Sequence, residues 1–103
     1  MLFSSQMQFD NPRLAVTATS GVINQQGRVF SSESVTIKKG EALTYVNNDS
    51  IPHNIMSNTK GSEFNLGSQA PGMSTDVTFK ETGDVQVICA IHPRMKMMVK
   101  VTD

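Results

Sequence analysis

Cysteine is almost missing from this chain: Cys89 is the only one in 103 residues. A lone cysteine closes no internal disulfide, so its thiol is a buried hydrophobe, a reactive group or a ligand. Net charge is missing too. Nine basic and nine acidic residues cancel, which removes the electrostatic reason to expect nucleic acid or an anionic membrane as partner. No apolar run approaches the roughly 20 residues of a membrane span. The start, "MLFSSQMQFDNP", has neither the basic n-region nor the long apolar core of an export signal. No repeat, no low-complexity tract and no helical stripe of apolar residues stands out. What remains is a length suited to one domain, 1–103, folding around a single core.

Alternation fills that length. In "SVTIKKGEALTYVNND", Val35 and Ile37 share one strand face, the Lys39-Gly40 region turns, and Leu43 and Tyr45 share a face of the next strand. Val77 pairs with Phe79 before a turn at 81–84, then Val85, Val87 and Cys89 line one face. Met97, Val99 and Val101 alternate with Met98, Lys100 and Thr102 at the end. An earlier strand is expected within "RLAVTATSGVI", broken near Gly21. The stretch from Ser57 to Gly72, which carries Gly61, Gly67, Pro71 and Gly72, reads as loop. Short strands with recurrent turns predict an all-β antiparallel sandwich of about seven or eight strands.

The chemistry gathers in "CAIHPRMKMMVKV", residues 89 to 101. Two residues separate Cys89 from His92, so one tight loop can bring thiolate and imidazole to the same ion. His53, just beyond "YVNND", can join them only through the fold. Met95 stands three residues past His92. Two imidazoles and a thiolate form a trigonal set, and a thioether can complete it as a weak axial ligand, the geometry of blue copper. Taken singly, Cys89 is a small buried hydrophobe, Met95 and Met97 are gap-fillers, and Pro52 and Pro93 are turn residues. Zinc fits less well, because a structural zinc site wants four strong ligands and a catalytic one usually a carboxylate base. The 89–98 loop holds Arg94 and Lys96 but no acid.

Two stretches together resemble the cupredoxins, the small blue copper proteins that include plastocyanin, pseudoazurin and amicyanin. "VNNDSIPHNI" is similar to the segment bearing that family's first histidine, and "GDVQVICAIHPRMKMMVKV" to its closing strand, loop and strand. The resemblance spans about residues 28 to 103 and implies a Greek-key β-sandwich with one type 1 copper, held by His53, Cys89 and His92. The short amicyanin-type loop would make Met95 the axial ligand. The longer plastocyanin and pseudoazurin spacing would make it Met97, with Met98 a remoter third; the ungapped run from "HPRM" into the alternating strand favours Met95.

Departures from the family pattern carry their own expectations. Ala90 stands where a small hydroxyl residue is usual, which removes a side-chain tie to Asn54, the residue expected to support the site. Ile91 replaces a common proline, so an N–H exists there. Aimed at the thiolate, it would favour Cu(I) and raise the potential.

The resemblance implies a mobile one-electron carrier outside the cytoplasm, periplasmic or otherwise extracytoplasmic, and monomeric. Its redox partner would be a cytochrome, dehydrogenase or copper reductase. Pro52, Pro71, Met73, Ile91 and Pro93 are the candidates for an apolar docking patch around His92. Enzymatic turnover is not expected, since both histidines are spent on this one site and none is left for a second, catalytic copper. The competing readings are a methionine-rich copper chaperone or scavenger, and a metal-free β-sandwich binding module.

Overall fold

A computed structural model describes residues 20–92 and 94–103. Pro93, and the part of the expected early strand before residue 20, lie outside the described residues. Nine strands follow in order: β1 (Gly21–Gln26), β2 (Val29–Phe30), β3 (Ser34–Lys38), β4 (Ala42–Asn47), β5 (His53–Ser57), β6 (Phe64–Gln69), β7 (Ser74–Thr78), β8 (Gly83–Cys89) and β9 (Lys96–Thr102). They form two sheets, ordered β2-β1-β4-β7 and β3-β9-β8-β5-β6. Most neighbours run antiparallel. The β1–β4 and β3–β9 pairs are parallel, so the chain crosses from one sheet to the other to make them.

Period-two patterning decides which faces meet. Val85, Val87 and Cys89 of β8 and Met97, Val99 and Val101 of β9 are buried, while Asp84, Gln86, Lys96 and Lys100 are exposed. Across the gap they pack with Ile23, Leu43, Tyr45 and Val77 of the other sheet, and with Ile37, Ile55 and Phe79, in one core. Burial of a side chain of this size contributes roughly 1.5–3 kcal/mol, so the core needs neither metal nor disulfide to form.

One expectation changes, while the break expected near Gly21 falls where β1 starts. The segment from 57 to 72, expected as loop, contains β6. It escaped notice because β6 pairs only with β5 at a sheet edge, half-buried and rich in Asn, Ser and Gly. It also carries a bulge. Between the pairs Met56↔Asn65 and Asn54↔Ser68, β6 spends one residue more than β5, and Gly67 absorbs the irregularity at φ +74°. One extra residue destroys the alternation on which strand recognition depends.

The hairpin joining β1 to β2 has a two-residue loop, Gly27-Arg28, between the paired Gln26 and Val29. Both loop residues have positive φ, +67° and +60°, as a type I′ turn requires. Glycine adopts that conformation freely. For Arg28 it costs roughly 1–2 kcal/mol.

Candidate metal centre

Register brings the distant residues together. β5 lies between β6 and β8, with Ile55 opposite Cys89 and His53 opposite Gln69. The first residue of β5 therefore sits beside the last residue of β8. Four connections leave the sandwich at this end: 27–28, 48–52, 70–73 and 90–95.

The last of these is closed by its own backbone. The His92 N–H donates to Cys89 O at 3.2 Å, Met95 N–H to His92 O at 2.8 Å, and Cys89 N–H to Met95 O at 3.0 Å. This small ring turns His92 back over Cys89 and drives Met95 inward, where it is buried.

Cys89 Sγ lies 3.6 Å from Nδ1 of His53 and 3.7 Å from Nδ1 of His92. The three ligand atoms all fall within 4.8 Å of one another. Metal–sulfur and metal–nitrogen bonds of about 2.3 and 2.0–2.1 Å, meeting at roughly 110–120°, hold their donors about 3.6–3.8 Å apart. The spacing matches a shared ion. His53 and Cys89 are fully buried, whereas His92 is half-buried.

Surrounding contacts orient the donors. Nε2 of His53 is 2.6 Å from Oδ2 of Asp49, so Nε2–H donates to the carboxylate and Nδ1 is left with its lone pair facing the sulfur. Asp49 also accepts from the N–H groups of Gly27 at 2.6 Å and Arg28 at 3.1 Å. Burial alone would raise the Asp49 carboxyl. The hydrogen bonds from His53, Arg28 and Gly27 outweigh it and hold the group below the usual carboxylate range.

Beneath lies a polar brace. The Asn47 side chain donates to Ile51 O and Gln69 O and accepts from Asp49 N. Gln69 Nε2 donates to Tyr45 O, Met73 O and Thr75 Oγ1, and its Oε1 accepts from Gln25. Two of the four connections, 48–52 and 70–73, are thereby tied to buried side chains.

Asn54 supports the site through its backbone. Its N–H donates to Cys89 Sγ at 3.3 Å, and its carbonyl accepts from Ala90 N–H at 2.9 Å. In place of the side-chain tie that Ala90 cannot make with a hydroxyl stands that backbone hydrogen bond, and the Asn54 side chain turns to Asn65. The expectation for Ile91 is corrected: among the described residues, the N–H on the sulfur belongs to Asn54. The sulfur faces β5 across the sheet, and the loop's ring bonds come from residues 89, 92 and 95.

The two axial candidates are treated differently. Met97 opposes Val87 in the ladder, and its Sδ accepts the Tyr45 hydroxyl at 3.6 Å inside the core. Burial pushes the Tyr45 phenol up, so it stays a donor. Met95 lies buried in the loop, its backbone bonded to Cys89 and His92. Met98 is half-buried on the opposite face of β9 from Met97.

Of the expected docking residues, Pro52, Pro71, Met73 and Ile91 all occupy loops at the metal-bearing end and are exposed. Ile91 lines one surface concavity with Arg28, His92, Arg94 and Met95. Asp49, Asn47, Gln69 and Arg28 went unrecognised in the sequence. Only Asp49 left a signal there, as a carboxylate four residues before a ligand-type histidine.

Comparison with known proteins agrees with this geometry. Residues 16–102 match the family described as copper binding proteins of the plastocyanin/azurin family. The plastocyanin of Scenedesmus fuscus is 34% identical over 83 residues, which cover 72% of this chain and 85% of that protein. The crystal structure of amicyanin from Paracoccus versutus superposes with a TM-score of 0.73 at 30% identity, covering 84% of this chain and 85% of that one. A purple cupredoxin from Nitrosopumilus maritimus superposes at 0.71 with 27% identity, covering 81% of this chain and all of the other.

Proposed function

We propose that this chain, which belongs to the plastocyanin/azurin family of copper-binding proteins, is a mobile one-electron carrier with a type 1 copper held by His53, Cys89, His92 and, axially, Met95. Its fold is the cupredoxin Greek-key β-sandwich, and its cofactor is copper. The observation that carries the reading is the convergence of one thiol and two imidazole nitrogens from the start of β5, the end of β8 and the loop after it, with one histidine buried and the other half-buried.

The donor set suits copper. Thiolate and imidazole bind both Cu(I) and Cu(II), and a buried thioether supplies a weak fourth contact. Bound there, copper would supply a one-electron couple. The protein's share is rigidity. The ring of backbone bonds from 89 to 95, the Asp49 contact and the Asn47–Gln69 brace fix the donors before any ion arrives, which limits rearrangement on electron exchange. Met95 is favoured over Met97 because the Met97 sulfur is already engaged by Tyr45.

Turnover is not part of this reading, since both histidines of the chain are committed to the one site. The chaperone reading loses ground for a related reason: the methionine cluster is dispersed, with Met95 and Met97 buried and Met98 turned to the other face. Electrons would pass through the His92 edge, within the patch of Pro52, Pro71, Met73 and Ile91, which Pro93 is expected from the sequence to join. The partner is a redox protein met outside the cytoplasm, and the carrier acts as a monomer. Among the described residues no helix is long and apolar enough to cross a membrane.

Voltammetry of the copper-loaded protein tests the role. A carrier gives a reversible one-electron wave over many cycles with copper retained. Loss of the metal on each reduction would instead mark a copper-delivery protein.

A further inference from the structure

Charge balances over the whole chain, but not at the metal-bearing end. The four connections there, 27–28, 48–52, 70–73 and 90–95, hold three charged side chains: Arg28, Asp49 and Arg94. Asp49 faces inward, its side chain 11% exposed and its oxygens taken by two backbone N–H groups and His53. Arg28 and Arg94 face outward and make no ion pair among the described residues. Both line the concavity that contains His92, together with the exposed Ile91. Arg94 also lines a neighbouring concavity with Glu33 and Lys96, so the outward-facing charges around this rim are Arg28, Arg94 and Lys96 against the one carboxylate of Glu33.

Arg28 is also held there against its backbone preference. It occupies a left-handed position that glycine would fill without strain, and Asp49 accepts its N–H to keep it so. The two-residue hairpin loop between Gln26 and Val29 imposes this conformation, and it fixes where the Arg28 side chain leaves the backbone.

We propose that Arg28 and Arg94 form a cationic clamp bordering His92 that receives a redox protein whose own electron-exchanging edge is ringed by carboxylates. This rests on the carrier reading above and names the chemistry of its partner. Guanidinium groups match carboxylates in a planar, two-bond geometry. Opposite charge at the rim steers the encounter, while Ile91 supplies a small apolar contact that releases quickly. A second copy of this chain would present the same cations and be repelled. Two arginines are too few for a nucleic acid. With copper held by His53, Cys89 and His92, the encounter would pass one electron from the partner's reduced centre to Cu(II), oxidising the partner by one electron, with no bond made or broken and no proton moved.

The test uses a small haem carrier with carboxylates around its haem edge, and the same carrier with those carboxylates amidated. Electron transfer to the copper-loaded protein is followed by stopped flow at about 0.01 M and about 1 M salt, where the Debye length falls from roughly 30 to 3 Å. The acidic carrier should react at least about tenfold faster at low salt than at high, and the amidated one slowly at both. Arg28→Gly combined with Arg94→Gln should remove most of the low-salt advantage. Arg28→Gly suits the left-handed backbone, and an unchanged visible spectrum checks that the metal site is intact. In parallel, redox-inert hexacyanocobaltate(III) is titrated into the copper-free protein. Amide shifts should centre on residues 28, 91, 92 and 94.

Salt-independent rates, or equal rates with the amidated carrier, would overturn the clamp, as would binding of the small anion without any rate advantage. A protein that took up no copper would sink the carrier reading instead, and the anion shifts would still report on the two arginines.

Discussion

Asp49 and His53 are joined by a 2.6 Å contact between a carboxylate oxygen and Nε2, the ring nitrogen turned away from the three-donor cluster. A carboxylate behind a ligating histidine makes the imidazole a better donor and stabilises the more highly charged metal state. Asp49→Asn keeps an acceptor oxygen and loses the charge. Cu(II) affinity should fall about 10- to 100-fold, with Cu(I) less affected, and the midpoint potential should rise. Each tenfold difference between the two states corresponds to about 59 mV. Competition titrations with both oxidation states and voltammetry check the sign; a lowered potential would contradict it.

Met95→Leu and Met97→Leu should separate the loop from the core. Met95→Leu should keep copper, shift the visible spectrum and raise the potential, with little loss of stability. Met97→Leu should leave spectrum and potential nearly unchanged and cost about 1–3 kcal/mol by orphaning the buried Tyr45 hydroxyl. Adding Tyr45→Phe should recover part of that loss, because the hydroxyl and its partner then disappear together. Denaturant melts of the four proteins in the cycle measure the coupling. A spectrum that responds to Met97 and not to Met95 would reverse the axial assignment.

Gly67→Ala isolates the bulge in β6. A Cβ at this position meets nothing within 4 Å, so the cost comes from backbone conformation alone, roughly 1–2 kcal/mol. For a domain of this size, thermal melting should shift down by roughly 4–8 °C per kcal/mol, with the copper spectrum retained.

The sequence carried the site better than it carried its setting. Cys89 and His92 share one short loop, and "PHN" lies in a second stretch whose family spacing is distinctive, so the donors were legible by residue type and order. Strands β8 and β9 were legible because Val85, Val87 and Cys89, and Met97, Val99 and Val101, keep strict alternation over a fully buried face. β6 was not, since an edge strand with a bulge buries too little to impose alternation. Asp49 could not be assigned from type alone. Carboxylates in turns are ordinary, and only the fold shows this one facing the histidine instead of water. The ungapped run from "HPRM" into the last strand already favoured Met95 over Met97; the Tyr45 hydroxyl on the Met97 sulfur, a contact across 52 residues, is a further reason that only the fold displays.

The central claim is that one copper ion is held between the Cys89 thiolate and the imidazoles of His53 and His92. Titration of the copper-free protein with Cu(II), read by visible absorption, tests it most directly. An intense charge-transfer band saturating at one equivalent, and absent from a folded Cys89→Ser variant, is the result this account requires. A colourless product, or colour that survives Cys89→Ser, would contradict it.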